Sequence, residues 1–145
     1  MTEGVIRRTV LLLLFAVVTG CATGQSVPDQ PLLNTYWKLV SLEEPGVTVI
    51  EGHREPHLVL HQEGQRLAGS TGCNNLSGRY QLDDDQLRFR NPVTTLMACR
   101  EVMQQEALFL EVLKGTVSWK VDGDVLVFRD ERGARVAEFQ AVYLY

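Results

Sequence analysis

From residue 35 to residue 144 the chain is cut into short pieces by glycine, proline and aspartate, and one run alone escapes that rhythm. The pieces TYWKLV (35–40), HLVLH (57–61), RLAGST (66–71), SGRYQL (77–82) and LRFR (87–90) are rich in aromatic and β-branched residues or alternate cleanly, and read as strands. Residues 43–56 hold Pro45, Gly46, Gly52 and Pro56 and read as a loop with a short strand at 47–50. Asp83-Asp84-Asp85 is a tight acidic turn. The exception is VMQQEALFLEVL at 102–113, which lacks Gly and Pro and sets Met103, Ala107, Leu110 and Leu113 on one face beside Phe109. That predicts one amphipathic helix, ended by Gly115. Three more strands follow at 117–121, 125–129 and 136–144, the first two joined by Asp122-Gly123-Asp124. The expected fold class is α+β, a mostly antiparallel sheet curled into a partial barrel with one helix.

The first twenty residues do not belong to that fold. Arg7 and Arg8 precede TVLLLLFAVV at 9–18, an apolar run of ten residues. A membrane span needs roughly 20, so the run reads as the core of a signal peptide. It ends in Val18-Thr19-Gly20-Cys21, which resembles a bacterial lipobox. The resemblance implies cleavage before Cys21, acylation of that cysteine and, with Ala22 next, sorting to the outer membrane facing the periplasm. Residues 21–32 are then a lipidated cysteine and flexible tether, and 33–145 the domain. Without residues 1–20 the chain has 12 basic and 17 acidic residues, a formal charge of −5. Nothing in it is a polybasic patch, which argues against nucleic acid as a partner.

Two cysteines remain, Cys73 and Cys99. In an oxidising compartment pairing is the default, with unpaired thiols and a catalytic or redox pair as alternatives. A loop closed over 26 residues would stabilise the fold by about 3.5 kcal/mol on the chain-entropy model. Gly69, Gly72 and Gly78 around Cys73 permit positive φ or close backbone approach. Asn74 and Asn75 tolerate the left-handed region and can bond their own backbone.

Gly72-Cys73-Asn74, then Gly78 and Tyr80, then Thr95-Leu96-Met97-Ala98-Cys99, then Met103, Glu106, Phe109 and Leu113 form a pattern that resembles the META domain, the family of HslJ-like bacterial lipoproteins. The likeness spans about residues 33–143, with Trp37 near its start. It implies a small β-rich domain with one helix, similar to the cracked barrel of secretin-pilot lipoproteins, and links to stress and envelope functions. Glu106 matches the acid of the family's helix; the expectation is a buried, hydrogen-bonded carboxylate, with an exposed helix residue as the alternative.

Catalytic chemistry finds little purchase. A nucleophilic thiol needs a base, usually histidine. His53, His57 and His61 are spaced by four, but Pro56 and the alternation make this a strand, with Leu58 and Leu60 inward and His57 and His61 outward. The His-Glu-x-x-His pattern, Gly-x-Ser-x-Gly and the P-loop are absent. Asp83, Asp84, Asp85, Asp122 and Asp124 could collect calcium if their turns met, but they lack EF-hand spacing. No metal or other cofactor is expected. The reading is a lipid-anchored, non-enzymatic binding or assembly module in stress response or envelope maintenance. Its partner would be an apolar ligand or an envelope protein, and Trp37, Tyr80, Met97 and Phe109 would line the site. The alternative is a thiol redox or hydrolytic enzyme using Cys73 and Cys99.

Overall fold

Short alternating segments pair with what comes next in sequence, and here they do so until the sheet meets itself. The computed structural model describes residues 28–43, 47 and 51–143. The leader, Cys21 and most of the expected strand at 47–50 lie outside them; Val47 itself is not in a strand. The strands are β1 (Tyr36–Leu42), β2 (His57–His61), β3 (Arg66–Ser70), β4 (Asn75–Asp83), β5 (Gln86–Thr94), β6 (Ser118–Asp122), β7 (Val125–Arg129) and β8 (Arg135–Val142). The helix α1 (Met103–Gly115) stands between β5 and β6. Each strand runs antiparallel to the next, and β8 pairs with β1, so the order closes into a ring. The ring has a thin seam. Among the described residues β5 and β6 share only the Gln86–Ser118 register pair. Leu87 N–H to Val117 O at 3.0 Å and Trp119 N–H to Asp85 O at 3.1 Å reinforce it. The class is α+β, as expected, with the sheet curled and weakly closed on one side.

Inward residues alternate with outward ones, and the exceptions are bulges. In β2, Leu58 and Leu60 are fully buried while His57, Val59 and His61 are only partly so. In β1 the phase slips. Trp37 and Leu39 point in, the register shifts at Val40, and Leu42 rather than Ser41 is buried next. A second bulge joins β4 to β5, where Asn91 takes φ +48° ahead of Pro92. Proline lacks an N–H for the ladder, and a bulge is where a strand tolerates it. This carries β5 on to Thr94, past the end read from LRFR.

The interior is filled by side chains. The rings of Phe89 and Phe128 lie 5.5 Å apart, those of Phe128 and Phe139 4.9 Å, and those of Phe139 and Phe109 6.1 Å. This chain of tilted aromatics runs from the strands to the helix. Each such side chain stabilises the fold by about 1.5–3 kcal/mol through burial alone. Trp37, wholly buried, also donates its indole N–H to Leu32 O at 2.9 Å.

Three expectations need correction. Packing starts before residue 33: Leu32 is in the core, Gln30 N–H bonds Gly123 O at 2.8 Å, and Asp29 Oδ1 accepts Gly123 N–H at 2.7 Å. The helix buries Phe109, Val112 and Leu113, and its N-cap Val102, whereas Met103 and Ala107 face solvent. The inward stripe is 102–106–109–113–116, one step round from the apolar stripe read in the sequence, and Glu106 sits on it half-buried. Gly115 is the last helical residue and does not take a positive φ; Thr116 is the C-cap, its hydroxyl bonded to Val112 O at 2.7 Å.

Candidate functional site

Glu106 is a half-buried carboxylate on the inward stripe of the helix, and burial favours finding donors for it. Glu106 finds three. Its Oε2 accepts the Thr71 hydroxyl at 2.6 Å and the Asn74 amide at 2.8 Å, and its Oε1 accepts the Thr94 hydroxyl at 3.2 Å. These donors come from the β3–β4 turn and the end of β5. Asn74, 2% exposed, uses its whole amide. Nδ2 donates to Glu106 and to Met97 O at 3.1 Å, while Oδ1 accepts Thr95 Oγ1 at 2.7 Å and Met97 N–H at 2.8 Å. Among the described residues no buried side-chain polar atom lacks a partner.

The turn that carries Asn74 is built for this. Thr71 N–H bonds Asn74 O at 2.9 Å, Asn74 N–H returns to Thr71 Oγ1 at 3.3 Å, and Gly72 N–H is held by Ser70 Oγ at 3.1 Å. Gly72 sits at φ +107°, where a side chain is strained. The expectation of left-handed asparagines is corrected here. Gly72 alone in this turn takes positive φ, and Asn74 bonds distant groups instead of its own backbone. Gly69 and Gly78 serve close approach. A Cβ at Gly69 would lie 2.1 Å from His57 O, and one at Gly78 would press on Asn91 O and Pro92 Cα, both at 3.2 Å.

Cys73 follows Gly72, and a disulfide joins it to Cys99, with Cα atoms 6.1 Å apart. Cys99 is fixed from its own side, since its carbonyl accepts Val102 N–H at 3.1 Å at the helix start. Polar bonds and a covalent bond thus tie the same two segments. Close by stands a residue the sequence reading did not connect with them. A ring nitrogen of His53 and both sulfurs lie within 4.8 Å of one another. His57 and His61 do not join them. His57 stacks on Tyr36 at 4.2 Å, and Tyr80 donates to His61 O at 2.9 Å. Burial and the neighbouring Glu55 charge push the Tyr36 phenol up to about 12. The acidic turns do not meet either; among the described residues no carboxylate joins a group of three metal-ligating side chains.

The proposed ligand lining is corrected. Trp37, Tyr80 and Phe109 are core residues, 2% exposed or less, and border no opening. Phe109, Val112 and Leu113 of α1 pack into the same core as the tilted rings. A surface depression of about 470 Å³, open to solvent, is bounded by Gln65, Gln81, Leu82, Asp83, Gln86 and Arg88, away from these three rings. Met97 differs: its backbone is clamped by Asn74 while its side chain is exposed. It neighbours Leu96, which is 98% exposed, and Val93 and Met103 are also exposed at this end. Sequence reading missed Leu96 as a surface residue, and missed Thr71 and Thr94 as ligands of Glu106.

A small antiparallel ring with one helix packed into its core, and a polar clamp beside a disulfide, defines the class of this domain. The META domain family model matches residues 30–143, and the chain belongs to that family. An NMR structure of a protein from Burkholderia xenovorans is similar at TM-score 0.63 and 25% identity, covering 78% of this chain and 85% of that one. A crystal structure of a DUF4847 family protein from Bacteroides vulgatus reaches TM-score 0.55 at 15% identity over 75% and 93% of the two chains, a likeness of fold alone. No curated protein matches.

Proposed function

We propose that the chain is a lipid-anchored envelope protein, held through Cys21 at the outer membrane and facing the periplasm. Its META domain would be a non-enzymatic docking module for another envelope protein, serving stress response or envelope maintenance. The observation that carries this is the apolar surface of Val93, Leu96, Met97 and Met103. A leucine 98% exposed on a segment pinned by Asn74 at Thr95 and Met97 stays presented to solvent at a standing hydrophobic cost. Its position supports the reading. The chain enters at the β6–β7 turn, through Asp29 and Gln30. By the antiparallel registers that turn lies at the opposite end of the ring from Thr94. A tether at one end leaves the apolar end pointing away from the lipid. A partner protein with an apolar patch fits it better than a small ligand, since Trp37, Tyr80 and Phe109 are packed in the core.

A photo-crosslinking residue at position 96, in cells, tests this against the same residue at position 124. A discrete adduct from 96 and none from 124 is expected; equal labelling, or none, rejects the docking reading. The second reading, a thiol redox or hydrolytic enzyme, draws on His53 beside the sulfurs. It requires turnover of a disulfide or ester substrate that Cys73→Ser abolishes.

A further inference from the structure

We propose that, once its disulfide is reduced, Cys73 and Cys99 together with His53 form a three-ligand site for a soft d10 cation, Zn²⁺ or Cu⁺. The inference is independent of the docking reading. Its basis is the convergence of one imidazole nitrogen and two sulfurs within 4.8 Å. Metal–sulfur and metal–nitrogen bonds of about 2.3 and 2.0 Å put tetrahedral ligand atoms about 3.5–3.8 Å apart. The three atoms therefore need small adjustments, chiefly the parting of the sulfurs once their bond is gone.

The decisive feature is that the two cysteines do not depend on each other for their places. The Cys73 turn is held by Thr71, Asn74 and Gly72 N–H, and Asn74 ties it to the backbone of Met97. Cys99 is held by the Val102 N–H. Reduction removes the covalent bond and leaves this scaffold, so the thiols stay face to face. His53, exposed on its loop, gives the cation a path in. Two thiolates with one imidazole select soft or borderline cations over calcium and magnesium. The fourth position remains for water.

The chemistry balances with a dithiol as reductant. It gives up two electrons and two protons and becomes a disulfide; the Cys73–Cys99 bond breaks and each sulfur is left as a thiol. Cation binding then releases both thiol protons to solvent, while the neutral imidazole supplies a lone pair.

The test titrates Co²⁺, a spectroscopic stand-in for Zn²⁺, into the oxidised and the reduced protein without oxygen. Far-ultraviolet circular dichroism follows the fold. The expected result is one Co²⁺ per reduced chain, with a thiolate charge-transfer band that Zn²⁺ erases, and no band in the oxidised protein. His53→Ala should weaken binding by at least about tenfold, as loss of a supporting metal contact does, while His57→Ala should leave it unchanged. No thiolate band in reduced protein that keeps its fold would overturn the proposal. So would equal affinity in His53→Ala, and so would loss of the fold on reduction, since the preformed pair requires it.

Discussion

The two ends of the ring are made in different ways. At the end where the chain enters, hairpins close in two residues: Asp84-Asp85 between β4 and β5, with Asp84 at φ +49°, and Gly123-Asp124 between β6 and β7, with Gly123 at φ +61°. The bend of each turn rests on a residue that accepts a left-handed backbone, and the entering segment then ties onto the second through Asp29 and Gln30. At the other end the connection from β5 to α1 is long and irregular. It is shaped by bonds between residues 12 to 35 apart in sequence, and by a disulfide across 26. Local turns are cheap and replaceable; an end assembled from distant parts is neither, and it is there that the exposed apolar residues and the sulfur–imidazole cluster sit.

Perturbing both ends sharpens the contrast. The largest effect is expected at the disulfide. Cys73→Ser should lower unfolding free energy by about 3.5 kcal/mol relative to the oxidised protein, read by urea denaturation. A loss below about 0.5 kcal/mol would mean that the polar bonds alone carry this end. Next comes the carboxylate. Glu106→Ala removes an acceptor shared by the Thr71, Asn74 and Thr94 donors and should cost about 2–4 kcal/mol. Glu106→Gln keeps one acceptor oxygen and should cost about half as much. Equal costs for the two would show that charge, not acceptor count, matters. The smallest effect is expected at the entry end, where Asp84→Gly should change stability by less than about 1 kcal/mol, because glycine adopts the turn conformation freely. A loss as large as that of Glu106→Ala would break the comparison.

Strands were legible where period and turn agree: HLVLH gives β2 without error, and the run free of Gly and Pro gives α1. The hydrophobic count sets the helix face off by one step, because the inward stripe carries the half-buried Glu106 and such a count passes over a carboxylate. The bulge at Val40 left no mark in YWKLVSL, since the slip serves β8 pairing rather than any local preference. Trp37, Tyr80 and Phe109 have the aromatic character of a ligand lining, and character does not separate a core ring from a cavity ring. His53, Thr71 and Thr94 gave no sign of their neighbours because nothing in the flanking residues records a contact made across the ring.

By itself the sequence determined the alternation, the turns, the single helix and the family, since these rest on period, backbone preference and a spaced motif. Only the tertiary structure decided which helix face is buried, which glycine is strained and which histidine stands beside the sulfurs. The reason is that hydrogen bonds and ligand geometry act over a few ångströms of space, and ring closure brings together residues that the chain keeps tens of positions apart.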